Sequence, residues 1–258
     1  MTATSPAPEA APSAVEVSLA TEGLAKSFGG VKAVDGASVT FQHGKVNALI
    51  GPNGSGKTTF FNCVTGMIQP DAGTVSYRGR DLTGKAPHRV ARAGIGRSFQ
   101  LCRVFPRMTV LENLLVAVRP GGLGRSMRSA RDREDIARAR ELLSRVGIDH
   151  LEQAEARDLS YGQQKLLELA GVLMADPETI MLDEPAGGVN PALIDRIAGL
   201  VRSLNAEGKT FIVVEHNMDL VMSLSDHVVV FDRGRQICEG TPTVVQNDPR
   251  VLEAYLGV

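Results

Sequence analysis

Several features that define whole classes of protein are scarce or missing in this sequence. Its three cysteines, Cys63, Cys102 and Cys238, are odd in number, far apart and without C-x-x-C spacing, which argues against a disulfide framework and against a zinc site. No apolar run approaches the roughly 20 residues that cross a bilayer. The opening residues have neither the basic nor the apolar region of a signal peptide. We therefore expect a chain that is not exported and that works in a reducing compartment.

An excess of charge is missing as well. Lysine and arginine number 28 against 29 aspartate and glutamate, which leaves a formal net charge of −1. This balance provides no global attraction to nucleic acid or anionic lipid, so we expect no nucleic-acid partner. What the 258 residues do contain is apolar material, at 43% of all positions, and this is enough for a packed globular interior.

The pattern along the chain divides it into a tail, a core and an insertion. Residues 1–15 are rich in alanine, proline and serine and are predicted to form a disordered tail. Residues 16–92 and 176–258 carry short runs of β-formers and are predicted to form an α/β catalytic core with a β subdomain. The intervening residues 93–175 are mostly helical in pattern and are predicted to form an inserted helical subdomain.

A glycine-rich motif follows VNALIG, an almost wholly apolar run that is typical of a parallel strand covered on both faces. Residues Gly51–Thr58 spell G-x-x-x-x-G-K-T, and helix formers come next. The glycines let successive backbone N–H groups point at phosphates, Lys57 reaches the β- and γ-phosphates, and the Thr58 hydroxyl supplies a ligand to Mg²⁺. The sequence therefore predicts a site for a nucleoside triphosphate with magnesium. The predicted nucleotide-binding residues of this motif are Gly51, Pro52, Asn53, Gly54, Ser55, Gly56, Lys57, Thr58 and Thr59.

Acidic residues end a second apolar run, TIMLDEP. Because neighbouring parallel strands deliver their carboxyl ends to one crevice, Asp183 and Glu184 are expected beside the phosphate loop. Asp183 suits a magnesium ligand, and Glu184 suits a group that orients or deprotonates the attacking water. A third run, FIVVEH, ends at His216, which is either a structural histidine or a group that binds a γ-phosphate oxygen.

The hexapeptide LSYGQQ, residues 159–164, has two interpretations. The spacing S-x-x-Q from Ser160 to Gln163 is typical of a capping box at the start of a helix, which is a purely structural role. The hexapeptide also precedes the acids by about 20 residues and follows the phosphate loop by about 100, and Gln100 lies between the loop and the hexapeptide. This arrangement favours a functional role in addition to the structural one.

In this order the motifs resemble those of the ATP-binding subunits of ABC transporters, whose signature is of LSGGQ type. The resemblance covers essentially everything after the tail. It implies an α/β fold of the P-loop NTPase (RecA-like) kind, with a mostly parallel sheet core, an antiparallel β subdomain and an inserted α-helical subdomain. It also implies ATP and Mg²⁺ as cofactors, with Glu184, His216 and Gln100 as catalytic residues. The implied magnesium ligands are Thr58, Gln100 and Asp183.

The resemblance further implies a head-to-tail dimer with a second copy of the chain or with a paralogous ATPase subunit. The signature of one chain would then contact the γ-phosphate held by the phosphate loop of the other. The signature residues are Leu159, Ser160, Tyr161, Gly162, Gln163 and Gln164. Phe28 stands where the family places an adenine-stacking aromatic, the alternative being a core phenylalanine in a β-turn. Asn190 stands where the broad family has aspartate, so a role that needs a carboxylate is not expected there.

The segments GIGRSFQ, VFPRMTVLENL, AGGVNP, EHNMDLVM and EAYLG resemble the branched-chain amino acid importer subfamily. This resemblance implies a cytoplasmic ATP-hydrolysing motor, held at the inner face of the cell membrane by transmembrane permease subunits. An extracytoplasmic solute-binding protein would be an indirect partner. We expect the permease groove between Gln100 and Asn113, with Val104, Phe105 and Met108 as apolar candidates that could equally belong to the core.

Other functions are compatible with parts of the pattern. A urea or lipid transporter would carry a similar motor sequence. A P-loop kinase or switch would not need LSYGQQ, and the N-K-x-D motif that reads guanine is absent. A soluble ABC ATPase that acts on nucleic acid or ribosomes would be expected to have two cassettes or a long coiled coil, and neither is visible in the sequence.

Overall fold

The structure is a computed structural model that describes residues 16–98, 104–118 and 128–256, with the side chains of all but 128–132 and 256. The predicted tail, Gln100 and Cys102 lie outside the described residues. Cys63 and Cys238 are both buried free thiols. Burial raises the pKa of the Cys63 thiol to about 11.

Strands and helices alternate along much of the described part of the chain. The described strands are β1 (Val17–Phe28), β2 (Val31–Gln42), β3 (Val46–Ile50), β4 (Ala72–Tyr77), β5 (Arg80–Asp81), β6 (Ile95–Arg97), β7 (Thr179–Asp183), β8 (Thr210–Val214), β9 (His227–Asp232) and β10 (Arg235–Gly240). The described helices are α1 (Lys57–Val64), α2 (Pro87–Ala93), α3 (Val110–Val116), α4 (Arg128–Val146), α5 (Tyr161–Met174), α6 (Pro191–Ala206), α7 (Met218–Leu224), α8 (Pro242–Gln246) and α9 (Pro249–Leu256). None of these helices is long and apolar enough to cross a membrane.

The strands form two sheets of different kinds. A four-stranded sheet in the order β2-β1-β4-β5 is antiparallel throughout. A six-stranded sheet in the order β10-β9-β3-β8-β7-β6 is parallel except for its edge strand β10. Every residue of β3, β7 and β8 is buried, because layers of structure cover both faces of this sheet. The mostly parallel core and the antiparallel subdomain are therefore as predicted.

Successive residues of the central strands face different hydrophobic cores, as the pleat of a strand requires. Ile180 and Leu182 of β7 pack with α3, α4, α5 and α6 on one face. Met181, between them, packs on the opposite face with α1 and the antiparallel sheet. There Phe60 of α1 makes edge-to-face contacts with aromatic rings from both sheets, Phe41 at 6.2 Å and Phe231 at 5.2 Å between centroids. The parallel sheet is thus the shared support of both helical layers.

The helical block does not pack as a separate unit. Its buried residues form one cluster with β7, β8 and α6 of the core. The predicted division at residue 93 also places β6 in the helical part, whereas β6 pairs with β7 as the edge strand of the parallel sheet. The helical insertion of the structure therefore begins after β6. The pattern along the chain did not reveal this, because a short strand does not by itself show which sheet it joins.

The charged face of α4 is solvated. Ala139, Leu143 and Val146 are fully buried along one side of this helix. On the other side Arg140 binds the carboxylate of Glu152, with Nε 2.9 Å from Oε2. This arginine of α4 therefore pairs with an acid outside the helix, on the surface of the protein.

Candidate functional site

The parallel register gathers three chain segments at one edge of the six-stranded sheet. Leu49 of β3 and Asp183 of β7 are both register partners of Val214 in β8, which lies between them. The residues that follow these three strands therefore leave the sheet side by side. They are the phosphate loop after β3, Glu184 after β7 and the pair Glu215 and His216 after β8. The sequence predicted this meeting from the apolar strands alone.

The phosphate loop has the backbone geometry that its glycines permit. Gly51, Gly54 and Gly56 have φ values of 148°, 80° and 100°, which other residues rarely adopt. A Cβ atom on Gly51 would lie 2.1 Å from the carbonyl oxygen of Phe231, and one on Gly56 would lie 2.1 Å from that of Ala33. The loop is therefore closely packed against β9 and β2, and only glycine fits at these two positions.

The start of α1 presents backbone donors to the loop. Among the described residues, the backbone N–H groups of Gly54, Gly56, Lys57, Thr58 and Thr59 make no backbone hydrogen bond. The first N–H groups of a helix have no partner within the helix and carry the positive end of its dipole. Such a cluster of inward N–H groups can bind an anion of the size of a phosphate.

Lys57 is almost fully buried, at 7% exposure, and its ammonium group lies inside the loop. Nζ donates to the carbonyl oxygens of Gly51 at 2.7 Å and Pro52 at 3.0 Å. Burial lowers the pKa of Lys57, and the nearby carboxylates of Glu184 and Asp183 oppose that shift. Nζ also donates to Ser55 Oγ at 3.4 Å. A buried ammonium held by these neutral oxygens is suited to exchange them for the stronger charged acceptors of a phosphate.

One cleft combines most of the predicted loop with the second acid. Its lining consists of Ala33, the continuous run from Asn53 to Thr59, and Glu184. Gly51 and Pro52 hold Lys57 from behind and do not line this cleft. His216 and Phe28 are also not among the lining residues. The structure therefore brings the loop and Glu184 together, and it leaves His216 and Phe28 outside the cleft.

Asp183 is 3% exposed and its two carboxylate oxygens differ. Oδ2 accepts from Arg97 Nη2 at 2.9 Å, whereas Oδ1 is buried without a hydrogen-bond partner among the described residues. A buried carboxylate oxygen without a donor fits a position where a cation or its water completes the shell. Arg97 was not singled out from the sequence. Its only signal there is a charged residue inside the short β-run IGRSFQ.

The protein oxygens near this position suit a magnesium site that phosphate and water complete, and not a metal site built from protein ligands alone. Within the described part of the chain, no three His, Cys, Asp or Glu side chains form a cluster that could hold a metal ion. Mg²⁺ is usually bound by one or two protein oxygens together with phosphate oxygens and waters. Asp183, with one unpartnered oxygen, and Thr58, exposed at the start of α1, are two such oxygen donors. Gln100, the third predicted ligand, lies outside the described residues.

Glu184 has a backbone conformation that is rare for a residue with a side chain, with φ of 50°. Three hydrogen bonds hold it there. Its N–H donates to the Val214 carbonyl at 2.9 Å, and its own carbonyl accepts from Gly187 N at 3.0 Å and from Lys165 Nζ at 3.1 Å. The turn at Glu184 thus separates the two adjacent acids, because Asp183 remains in the sheet while Glu184 reaches the cleft.

Glu215 is the second residue that sequence reasoning missed. It is fully buried, and its carboxylate accepts three backbone N–H groups, from Ala186 at 2.7 Å, His216 at 3.0 Å and Asn217 at 3.2 Å. This carboxylate therefore ties the loop after β7 to the loop after β8, which carries His216. The signal in the sequence was an acid directly after an apolar strand, the same signal that identified Asp183.

The signature hexapeptide forms the start of α5, and its capping box is confirmed. Ser160 Oγ accepts from Gln163 N at 3.3 Å, while the Gln163 side chain accepts from Ser160 N at 2.8 Å. Leu159 is buried, and Gln164 Nε2 donates to its carbonyl and to that of Ala156. Among described residues, the N–H groups of Tyr161 and Gly162 make no backbone hydrogen bond. Ser160 is exposed and does not line the phosphate-loop cleft.

The start of α5 also contacts the loop that follows the two acids. The Tyr161 ring lies 5.5 Å from Lys165 Nζ, which donates to the Glu184 carbonyl. A Cβ atom on Gly188 would be 3.4 Å from the Tyr161 ring. Two residues further along, Asn190 caps α6, with Oδ1 accepting from Leu193 N at 2.9 Å. A neutral amide is sufficient for this capping role.

Two predicted contact residues are exposed on other parts of the surface. Phe28, at the end of β1, is 48% exposed, so the core alternative for this residue is wrong. Phe105, 52% exposed, lines a groove with Val104, Asn113 and Arg97. The remaining lining residues are Val116, Ala117, Leu167, Glu168, Gly171 and Val172 of α3, its end and α5. Met108, the third apolar candidate, is half-buried and does not line the groove.

Comparison of the sequence with known families gives two matches. Residues 34–187 match the family described as ABC transporter, and residues 235–258 match a family described as branched-chain amino acid ATP-binding cassette transporter. The chain is 42% identical to the probable branched-chain amino acid transport ATP-binding protein LivG of Archaeoglobus fulgidus, over 93% of this chain and 95% of that protein. It is 41% identical to the high-affinity branched-chain amino acid transport ATP-binding protein BraF of Pseudomonas aeruginosa, over 93% and 97%.

Solved structures with the same fold are ATP-binding cassettes. A nucleotide-free cassette from an ABC transporter is 38% identical and superposes with a TM-score of 0.83, over 94% of this chain and all of the other. A cassette of an ABC transporter in its ADP conformation is 37% identical, with a TM-score of 0.82 over 94% and 99%. The whole described architecture, including the helical insertion, is therefore shared with these proteins.

Proposed function

Because the chain belongs to the ABC transporter family, as an ATP-binding cassette and ATPase, we propose that it is the ATP-hydrolysing subunit of an importer for branched-chain amino acids. The observation that carries this proposal is the cleft in which unpaired loop N–H groups, a buried lysine and Glu184 meet. It lies within a chain that is similar over almost its whole length to branched-chain amino acid transport ATP-binding proteins.

Binding of ATP would begin at the phosphate loop. The N–H groups of Gly54 and of residues 56–59 would donate to the β- and γ-phosphate oxygens. Lys57 would move its ammonium from the Gly51 and Pro52 carbonyls to the same oxygens. Phe28, exposed at the end of β1, would offer its ring to adenine. Bound Mg²⁺ would neutralise charge on the phosphate oxygens. Its protein ligands would be the Thr58 hydroxyl and the unpartnered oxygen of Asp183, together with Gln100.

Hydrolysis would depend on the residues beyond the strand ends. Glu184 lines the cleft and would accept the proton of a water aligned with the γ-phosphate. His216, whose loop is tied to that of Glu184 through Glu215, would donate to a γ-phosphate oxygen. The described side chain of His216 is exposed, so we expect it to reach the phosphate only when a second surface covers the cleft.

That second surface would be the signature of another copy of the chain or of a paralogous subunit. Ser160 is exposed, and the first N–H groups of α5 have no backbone acceptor. A 14-residue helix directs the positive end of its dipole out of the molecule at this point. Placed over the γ-phosphate in the opposite cleft, it would complete the site and hold the two subunits together.

The partners in the membrane would be permease subunits, which hold the chain at the cytoplasmic face. The groove lined by Val104 and Phe105 is largely apolar and lies beside the helical insertion. A cytoplasmic helix of a permease subunit would bury Phe105 there. Closure of the ATPase pair would then move the permease between its two open states, and a solute-binding protein outside the membrane would deliver the amino acid.

Uptake in cells that carry or lack this gene tests the proposal. We expect deletion to abolish ATP-dependent uptake of radiolabelled leucine, isoleucine and valine. The wild-type gene should restore uptake, whereas a copy with Lys57→Ala should not, at equal protein level. Loss of urea or lipid transport with intact leucine uptake would contradict the amino acid assignment and leave the ATPase assignment in place. Absence of ATP binding by the purified chain would contradict both.

A further inference from the structure

We propose that Arg97 is a positioning residue for the magnesium site, because it holds Asp183 and α1 in one fixed arrangement. This inference rests on the proposed function, since it assigns a role in the same nucleotide site. Neither the phosphate-loop motif nor the acid pair includes this arginine. The proposal concerns the geometry of the two magnesium ligands Thr58 and Asp183, and it gives Arg97 no contact with the nucleotide.

The guanidinium group of Arg97 joins three elements at once. Arg97 ends β6, and its side chain is only 9% exposed. Nη2 donates to Asp183 Oδ2 on β7 at 2.9 Å. Nη1 donates to two acceptors on α1, Asn62 Oδ1 at 2.8 Å and Thr65 Oγ1 at 2.7 Å. The group also lies over the Phe61 ring, 5.6 Å from its centroid.

These contacts connect the two elements that supply the proposed magnesium ligands. Thr58 lies at the start of α1 and Asp183 at the end of β7. A planar guanidinium has donors in a rigid fork, so a single Arg97 side chain fixes the distance and angle between its partners. Thr65 is itself anchored, because its hydroxyl donates to the Phe61 carbonyl at 2.7 Å. The guanidinium of Arg97 therefore holds the helix α1 itself, through a side chain that is fixed to the helix backbone.

The same contact determines which oxygen of Asp183 is available. With Oδ2 engaged by Arg97, rotation of the carboxylate is blocked, and Oδ1 remains buried without a donor among the described residues. A metal ligand held by an outer partner in this way keeps its orientation when the metal is absent. Loss of such outer partners typically weakens metal binding about 10- to 100-fold.

The test distinguishes the forked geometry of the Arg97 guanidinium from its positive charge. Arg97→Lys keeps a positive charge beside Asp183, but one ammonium on a flexible stem cannot reproduce the forked geometry towards β7 and α1. We would measure binding of a fluorescent, non-hydrolysable ATP analogue in EDTA and across a Mg²⁺ titration. We expect the half-saturating Mg²⁺ concentration to rise about tenfold in the variant. The dissociation constant in EDTA should stay within about twofold of wild type, because the variant leaves the phosphate loop unchanged.

A second variant tests the same proposal in case Arg97→Lys folds poorly. Thr65→Val has nearly the same shape and removes one α1 acceptor of Arg97, while Asp183 and Arg97 remain. We expect the half-saturating Mg²⁺ concentration to rise about threefold, as for the net loss of one typical hydrogen bond, because Asn62 and Asp183 still hold Arg97. Arg145→Lys is the matched control, because Arg145 binds both carboxylate oxygens of Glu207 on the surface. It should titrate like the wild type.

Two results would overturn the assignment. One is a Mg²⁺ titration of folded Arg97→Lys and Thr65→Val that equals the wild type. The other is a loss of affinity in EDTA as large as the loss in Mg²⁺, since that would place the effect on the phosphate loop. If the wild-type chain bound the analogue in neither condition, the proposed function itself would fail, and the role of Arg97 would fail with it.

Discussion

The phosphate-loop edge of the parallel sheet and the start of α5 are both helix N-termini with unused N–H groups, yet they differ in what surrounds them. At the sheet edge, Lys57, Asp183 and Glu215 are buried and held by partners from different segments of the chain. At the start of α5, Ser160 is exposed, and its hydrogen bonds stay within its own capping box. The first region is a preformed cleft, whereas the second is a surface.

This difference is the basis of our proposal that two chains together complete one ATP site. A buried, cross-linked cleft can bind phosphate by itself because its donors are already oriented. An exposed helix start has the same donors but no walls that exclude water, and exposed charges are screened. It becomes effective when a second molecule covers it. The comparison therefore makes four predictions, in which the two regions should respond differently to substitution.

The largest effect is expected for Glu184→Gln at the preformed cleft. Removing the proton acceptor should lower ATP turnover by about 10³-fold, since a general base contributes a factor of this order. ATP binding should persist, so a dimer should accumulate in light scattering with Mg²⁺ and ATP. An unchanged rate of phosphate release would remove Glu184 from this role.

A smaller but still large effect is expected for Lys57→Met. This substitution keeps the length of the side chain and removes the charged hydrogen bonds to phosphate, so the affinity for ATP should fall about 50-fold. Equilibrium binding of a fluorescent ATP analogue measures this change. Lys165→Met is a control, because Lys165 is also buried but donates to the Glu184 carbonyl and not into the loop. Equal losses of affinity in both variants would mean that the cleft does not depend on Lys57 specifically.

The third prediction addresses the start of α5. Ser160→Ala removes a helix cap, which should lower the free energy of unfolding by about 1 kcal/mol. Thr109→Ala removes the cap of the equivalent capping box on α3 and should have the same cost. Only Ser160→Ala should also weaken the ATP-dependent dimer, by about tenfold, because one contact to an anion is lost.

Denaturant unfolding and concentration-dependent light scattering measure these two quantities. If both caps changed stability and dimerisation equally, the start of α5 would be a structural feature only. The contrast with the phosphate-loop edge would then disappear, because the exposed surface would have no partner anion.

The smallest effect is expected for Asn190→Asp, in the loop between the two regions. Asparagine and aspartate are nearly equal helix caps, so the free energy of unfolding should change by less than about 0.5 kcal/mol. ATP turnover should remain close to that of the wild type, because the loop of this chain already works with an amide. A large gain in turnover would show that the missing carboxylate limits the site.

The elements that were predicted from sequence share a local signal. The phosphate loop is one continuous stretch between an apolar strand and a helix, and the capping box at Ser160 spans four neighbouring residues. The contacts of Arg97 with Asp183 and of Glu215 with Ala186 had no local signal, since these partners lie 86 and 29 residues apart in the chain. Contacts of this kind depend on strand order, which no local pattern contains.

The phosphate loop and the acid pair followed from the sequence because each rests on residue types at fixed short spacing. Tertiary structure alone decided that Asp183 presents one oxygen while Arg97 holds the other, and that β6 belongs to the sheet and not to the helical insertion. The physical reason is that hydrogen bonds and burial depend on which strands lie side by side. In this protein the parallel register, and not the distance along the chain, makes these residues neighbours.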